Sequence, residues 1–214
     1  MISIEAPIIF RDMTSRDNIA YVVQKCKAED IDKKVIEIIG DWLYQYLAEG
    51  RAIIYAGRVE HCKRLAESLN CAAYFAGLED KAKSLQKWLK GERRVIVATN
   101  ALGLGIDVPD VRLVLHAEPV FDLLNYEQES GRAGRDEQRS EAIVLMAEER
   151  IQGSKYRDTE ERLLWEYLQM EKCRRIKLDQ YLDGNFETQE YVKGQEECDN
   201  CRRTREMIHE EKSR

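Results

Sequence analysis

Short apolar runs alternate with helical patterns along most of the chain. The run 52–56 is continuous and apolar, as expected of a strand that is buried on both faces, and 95–99 is the next predicted buried strand. Between such runs, apolar residues recur at helical spacing, for example in the segment 35–46, where the preceding Asp30 is placed to cap the helix. Strands that alternate with helices favour a parallel sheet covered by helices on both faces.

The same pattern defines the remaining elements. The predicted strands are 19–23, 52–56, 72–76, 95–99, 111–116 and 142–146. Helices are predicted after Asp30 and over 59–69, 79–89, 122–130 and 159–172. Beyond Asp183 the signals weaken until Cys198. We therefore expect one α/β lobe over residues 1–153 and a small, mainly helical subdomain over residues 154–214.

Composition and charge indicate a folded protein with a charged surface. Hydrophobic residues make up 43% of the chain and charged residues 35%. No apolar run approaches the roughly 18 residues of a membrane helix, and the N-terminus lacks the basic lead of a signal peptide, so we expect an intracellular protein. The net charge of −6 does not indicate a nucleic-acid binder. Basic clusters such as Lys172, Arg174 and Arg175 are interpreted individually as solvated surfaces.

One candidate for ligand binding is the polar, glycine-containing segment 98–107, which follows a predicted strand. Its two glycines let the backbone come close to a ligand, and Thr99 and Asn100 offer short polar groups to a phosphate backbone. Asp107 is placed to hold a neighbouring arginine or a nucleotide hydroxyl. Arg58, after another strand, is a further candidate for a phosphate contact. Taken alone, these features also fit an ordinary turn and the start of a helix.

A second candidate is the arginine pair of segment 128–136. Arg132 and Arg135 are expected on one side of a helical turn because they are three residues apart. Guanidinium groups suit phosphate because they stay charged and present a planar donor fork. A surface turn with ion pairs to Glu129 and Asp136 explains the pair equally well. We expect all the candidate segments to follow strands, at the edge where open parallel sheets bind ligands.

In order and spacing, these segments resemble the helicase core of superfamily two, and within it the RecQ DNA helicases. The resemblance rests on the stretches 95–112 and 125–136, together with Ala-Gly-Leu at 76–78, and it covers nearly the whole chain. It implies a RecA-like parallel sheet flanked by helices and followed by a zinc-binding subdomain. Phe75 and Val108 depart from the family pattern, which has histidine and lysine there, and these departures bear on DNA contacts rather than on the fold.

The resemblance also implies roles for individual residues in ATP hydrolysis. Arg132 and Arg135 would face ATP held mainly by another lobe, with Arg135 as the arginine finger that stabilises charge on the transferring phosphate. Gln128 would sense the nucleotide. Gly105 and Asp107 would link the ATP cleft to the DNA.

The implied function is that of the C-terminal half of a 3′-to-5′ DNA helicase, nuclear if the source is eukaryotic. The expected sequence-neutral contacts to DNA are Arg58, Thr99 and Asn100. The 214 residues contain no Gly-x-x-x-x-Gly-Lys-Ser/Thr loop, so ATP and Mg²⁺ would be shared with a first lobe in cis or in trans, and we expect this chain alone to be inactive. The alternative is a non-catalytic nucleic-acid-binding or interaction module, and a related RNA helicase is disfavoured by the cysteines.

Cys173, Cys198 and Cys201 gather near the C-terminus. In an intracellular protein this grouping suggests a metal before a disulfide, and a Cys-x-x-Cys pair with a distant third cysteine resembles the RecQ zinc subdomain. The family's fourth cysteine falls at Gln195. Thiols that bind no metal are the alternative interpretation. The candidates for a fourth ligand are a water, Glu190, Glu196 and His209.

Overall fold

The structure, a computed structural model, describes residues 15–46, 49–103, 106–118, 121–150, 156, 158–184 and 193–213. The strands are β1 (Ile19–Cys26), β2 (Arg51–Tyr55), β3 (Ala72–Tyr74), β4 (Val95–Ala98), β5 (Val111–His116) and β6 (Ser140–Ala147). The α-helices are α1 (Ile31–Gln45), α2 (Val59–Ser68), α3 (Lys81–Leu89), α4 (Leu123–Ser130), α5 (Thr159–Gln169), α6 (Arg174–Leu182) and α7 (Asp199–Lys212). Short 3-10 helices lie at Ala28–Asp30, Asn100–Gly103 and Glu148–Arg150.

The six strands form one parallel sheet in the order β1-β6-β5-β2-β4-β3. Alternate residues of each strand point to opposite faces. In β2, Ala52 and Ile54 pack with α1 and α2, whereas Ile53 and Tyr55 belong to the core that contains residues of α3 to α6. The predicted parallel sheet with helices on both faces is therefore confirmed.

Several element boundaries differ from the predictions. Helix α1 begins after Asp30 as expected, but the Asp30 side chain makes no capping hydrogen bond, and a 3-10 turn precedes the helix. Helix α5 ends at Gln169 because Met170 adopts an extended backbone. Helix α7 was not predicted. Asn200 is its one buried residue, so the sequence of α7 carries no apolar stripe that would reveal a helix.

Two arginines attach the C-terminal helices to the sheet. Arg174 and Arg175 are 3% and 2% exposed, so the interpretation of this cluster as a solvated surface was wrong for both. Arg174 donates from Nε and Nη2 to the two carboxylate oxygens of Asp199, at 2.5 and 2.6 Å. Asp199 also accepts the backbone N–H of Val23 in β1, at 3.2 Å. A buried ion pair thus joins α6, α7 and the edge strand of the sheet.

Arg175 makes the second attachment. Its guanidinium donates to the backbone carbonyls of Arg16 at 2.8 Å, Ile19 at 2.7 Å and Glu196 at 3.1 Å. It also lies over the ring of Tyr21, 5.1 Å from the centroid. The chain before β1 and the chain before α7 are therefore held by one side chain.

The C-terminal helices share their core with the sheet. Leu164, Tyr167 and Leu178 belong to the same buried cluster as Ile19 and Tyr21. The division at residue 153 stays a prediction, since apolar packing is continuous across it. No helix in the part of the chain that the structure describes is long and apolar enough to cross a membrane.

We predict that Arg175→Ala lowers the free energy of unfolding by about 3 kcal/mol, because it leaves buried carbonyls without a donor. Denaturant unfolding of the full chain measures this. Arg205→Ala is the matched control, since Arg205 is exposed and pairs only at the surface with Glu197, and we expect a change within about 0.5 kcal/mol. Equal midpoints for the two variants would contradict the assigned role of Arg175.

Candidate functional site

The carboxyl edge of the sheet brings two of the candidate segments together. Arg58 follows β2, and Thr99 and Asn100 follow β4, which is the neighbouring strand. Arg58 and Asn100 are exposed, whereas Thr99 is 8% exposed. Its Oγ1 accepts the N–H of Ala101 at 3.4 Å. A cation and an amide are therefore available to a ligand at this edge, and the Thr99 hydroxyl is engaged in the local turn.

The arginine segment lies at the opposite edge of the sheet, and our expectation that it follows a strand was wrong. It follows α4 and precedes β6. The Gly134 N–H donates to the carbonyl of Val111, the first residue of β5, at 2.8 Å. The physical reason is that α4 returns the chain to the amino edge before β6 can begin parallel to β5.

The connection between β4 and β5 joins the two edges. It leaves β4 at the carboxyl edge and reaches the arginine turn with Ile106 and Asp107. Arg132 donates from Nη1 to the Ile106 carbonyl at 3.4 Å, and Arg135 Nη1 pairs with Asp107 Oδ1 at 2.6 Å. Gly105 lies outside the described residues. The connection therefore begins with the exposed Asn100 at the carboxyl edge and contacts both arginines further along.

The arginine turn is held in one conformation. Helix α4 ends at Ser130, and Gly134 has a positive φ of 60°. A Cβ on Gly134 would lie 2.3 Å from Asn18 Nδ2, which itself donates to the Gly134 carbonyl at 2.7 Å. The guanidinium of Arg112 pairs with both carboxylate oxygens of Asp136. Only glycine fits at position 134, for conformational and steric reasons together.

The two arginines differ in exposure. They lie in the turn that follows the end of α4, and both contact the connection after β4, at Ile106 and Asp107. Arg132 is 9% exposed. The side chain of Arg135 is 33% exposed and that of its partner Asp107 is 82% exposed. Surface ion pairs contribute at most about 1 kcal/mol, so Arg135 can exchange Asp107 for a phosphate at little cost. Gln128 is exposed on the preceding helix.

A buried histidine lies behind the arginine turn and was missed by the sequence analysis. His116 ends β5, and its Nε2 is 3.0 Å from Oε2 of Glu129, the residue that we had considered as a surface partner. The imidazole stacks on Tyr55 at 5.2 Å and contacts Tyr126 at 5.3 Å. A histidine directly after the apolar residues Leu113–Leu115 was the available signal. This contact fixes α4, and with it the start of the arginine turn, to the sheet.

A second histidine supports the carboxyl edge. His61 Nδ1 is 2.7 Å from Oε1 of Glu118, and its Nε2 is 2.8 Å from Oδ1 of Asp32. The Glu118 hydrogen bond, aided by Asp32, raises the pKa of His61, and His61 lowers the pKa of Glu118. A Cβ on Gly57 would lie 3.4 Å from the Glu118 carboxylate. The charged cluster therefore packs against the turn that presents Arg58.

The three C-terminal cysteines form one cluster. The sulfurs of Cys173, Cys198 and Cys201 lie within 4.8 Å of one another. The thiol of Cys173 and the backbone N–H groups of Arg174 and Cys201 donate to Cys198, and these bonds lower its pKa. Thiolates about 3.8 Å apart are expected around tetrahedral zinc, so the donor set fits this ion. Glu196 and His209 lie outside the cluster, and Glu190 lies outside the described residues.

Comparison with known proteins shows what this chain is similar to. The family described as the helicase conserved C-terminal domain matches residues 32–137. A helicase Q1 relative from Caenorhabditis elegans is 34% identical over 217 residues, covering 94% of this chain and 33% of that protein. The ATP-dependent helicase SGS1 of Saccharomyces cerevisiae is 32% identical over 234 residues, covering 99% of this chain and 16% of that protein.

Solved structures show the same fold. The second domain of the DEAD-box helicase Mss116p, solved bound to an RNA duplex, superposes with a TM-score of 0.58 at 19% identity, covering 82% of this chain and 64% of that one. This likeness concerns the fold alone. The chain spans a third or less of the length of the two curated relatives described above, so the activity of a whole helicase is a matter of proposal.

We predict that the His61 cluster makes stability fall as the pH rises above neutrality. The raised pKa of His61 means that its contribution is complete below the ordinary value of about 6.5 and is lost as the pH rises through the folded value. The lowered pKa of Glu118 means that its contribution is lost only in acid. Urea unfolding of the full chain between about pH 6 and pH 9 measures the effect.

The variant His61→Gln should lose this pH dependence, because glutamine keeps hydrogen-bond donors but does not titrate. His209→Gln is the matched control, since His209 is an exposed histidine on α7, and it should behave as the wild type does. If His61→Gln and the wild type lose stability in parallel over this range, the cluster does not titrate as described.

Proposed function

Because the chain contains a helicase C-terminal domain and is a homologue of the RecQ-family DNA helicases, we propose that it is the second motor lobe of a 3′-to-5′ DNA helicase. It would couple ATP hydrolysis to strand unwinding together with a first lobe. The observation that carries this proposal is the fixed turn of residues 131–136, which offers the Arg135 guanidinium to solvent beside Asp107. A nuclear location, if the source is eukaryotic, remains a prediction.

ATP with Mg²⁺ would bind between this turn and the first lobe. The sequence of 214 residues has no phosphate loop of its own, so the phosphates would be held by the partner lobe. Arg135 would stabilise the charge that develops on the transferring phosphate. The buried Arg132 would add a second positive charge behind Arg135, and Gln128 and Gly105 would complete the nucleotide contacts.

DNA would bind at the carboxyl edge. Arg58 and Asn100 are exposed there, and with Thr99 they would contact the phosphate backbone without reading bases, as movement along DNA requires. DNA and the nucleotide would then bind at opposite ends of the connection between β4 and β5. Its far end, at Asp107, pairs with Arg135, which supports a role in linking the two events.

We propose that Cys173, Cys198 and Cys201 hold one Zn²⁺ in a subdomain over residues 154–214. Three sulfurs within 4.8 Å of one another support this. When bound, zinc would cross-link the start of α6 to the start of α7. Metal ligation can add folding free energy to a small unit of this kind.

We predict that Arg135→Ala lowers DNA-dependent ATP hydrolysis about a thousandfold when the chain is combined with a matching first lobe, because a finger arginine contributes roughly that much. DNA binding should stay within about twofold of the wild type, since the residue lies at the other edge of the sheet. Arg139→Ala, at an exposed arginine four residues further on, should leave hydrolysis unchanged.

The chain by itself should show no ATPase above background. DNA-stimulated turnover by the isolated chain that Arg135→Ala abolishes would overturn the two-lobe proposal. DNA binding with no hydrolysis in any combination of lobes would instead favour the alternative, a non-catalytic nucleic-acid-binding module.

We predict one zinc ion per purified chain by elemental analysis. Cys198→Ser should remove it, because Cys198 receives hydrogen bonds from both ends of the cluster. Cys62→Ser is the control, since Cys62 is buried under β4 and away from the cluster, and it should keep the metal. A wild-type protein without stoichiometric metal would refute the zinc site.

A further inference from the structure

His61 lies between two carboxylates, near the carboxyl edge of the sheet. Its Nδ1 is 2.7 Å from Oε1 of Glu118, and its Nε2 is 2.8 Å from Oδ1 of Asp32. An ionised carboxylate only accepts hydrogen bonds, and a neutral imidazole has a single N–H, so both contacts are satisfied only when the ring carries two protons. The side chain of His61 is 6% exposed. The geometry is therefore that of a buried imidazolium.

On the α1 side, the carboxylate has a second cation. Asp32 lies in the first turn of α1, and its Oδ2 accepts from Nε of Arg64 at 2.6 Å. The hydrogen bond from Arg64, more than the one from His61, lowers the pKa of Asp32. Because arginine keeps its charge at any pH near neutrality, Asp32 stays paired when His61 loses its proton. The loss of that proton therefore acts mainly on Glu118.

Glu118 lies beside the turn that presents Arg58. Its Oε2 is 3.4 Å from the place that a Cβ on Gly57 would occupy, and Gly57 directly precedes Arg58. The hydrogen bond from His61 is the largest cause that lowers the pKa of Glu118, and the positive charges of Arg58 and Arg150 add to it. The Glu118 carboxylate is therefore close enough to act electrostatically on Arg58, which is exposed.

We infer that His61 is a positioning residue for DNA at this edge: protonated, it binds and neutralises Glu118, which leaves the Arg58 guanidinium to the phosphate backbone. The inference rests on the DNA edge proposed above. When His61 releases its proton to solvent, Glu118 keeps its negative charge beside Arg58, where it competes with phosphate for the guanidinium and repels the DNA. DNA affinity therefore falls as the pH rises through the folded pKa of His61, which is raised above its ordinary value of about 6.5.

Binding of a fluorescent single-stranded DNA oligonucleotide to the full chain tests this between about pH 6 and about pH 9, where neither arginine nor the DNA phosphates titrate. The wild-type affinity should fall about fivefold across this range, which corresponds to one surface ion pair. His61→Gln should bind weakly at every pH, because glutamine keeps hydrogen-bond donors but has no charge. His209→Gln is the matched control and should follow the wild type, and circular dichroism verifies the fold at each pH.

Rescue distinguishes this role from a purely structural one. Glu118→Gln removes the carboxylate that His61 neutralises, so it should bind DNA at about pH 9 as the wild type does at about pH 6. The double variant His61→Gln/Glu118→Gln should regain the same affinity, whereas lost packing would be repeated in it and not reversed. Glu127, whose pKa burial raises to about 7, also titrates in this range, and every variant retains it as an internal reference.

Two results would overturn the inference, for different reasons. Arg58→Ala should weaken binding and lower the slope of log affinity against log salt by about 0.7, as for one phosphate contact on a single strand. If it does so but His61→Gln keeps the pH profile of the wild type, His61 does not position Arg58, and the DNA edge stands. If Arg58→Ala leaves DNA affinity unchanged, the proposed DNA edge is wrong, and the inference fails with it.

Discussion

Gly134 has a left-handed backbone and no space for a side chain, and the turn that carries both arginines depends on it. A Cβ there would overlap Asn18, which reaches across from the start of β1 to bind the Gly134 carbonyl. The turn is thereby fixed to the amino ends of three strands. Arg132 is buried and Arg135 is a third exposed, so one short segment supplies both a buried and an exposed cation.

The strands and most helices could be predicted because burial leaves a direct pattern in the sequence. The continuous apolar runs of β2 and β4 result from burial within the sheet, and the helical spacing of apolar residues in α1 results from packing against it. The edge occupied by Arg135 could not be predicted in the same way, since it depends on where α4 returns the chain. The buried contacts of His116 and Arg175 also escaped prediction, because polar residues carry no periodic signal and their partners are distant in sequence.

Where the C-terminal helices pack on the sheet, buried cations make part of the contact and apolar side chains make the rest. Removing one partner of a buried ion pair costs more free energy than the intact pair contributes, because the remaining charge is left buried and unpaired. Asp199 lies between Cys198 and Cys201 in sequence and binds both Arg174 and the Val23 N–H of β1. A change at the cysteine cluster therefore acts on the edge strand through a few short, charge-assisted bonds rather than through a flexible linker.

The weak ion pair between Arg135 and Asp107 suits the proposed motor lobe better than a strong one would. A buried pair would hold the guanidinium against exchange, whereas an exposed pair contributes at most about 1 kcal/mol. Burial distinguishes the two arginines here, since Arg132 is enclosed and Arg135 is a third exposed. Asp107 would keep Arg135 extended until a phosphate competes for it. In the proposed helicase, the connection from Asn100 would be released at its Asp107 end when a nucleotide engages Arg135, and this release would link ATP to DNA.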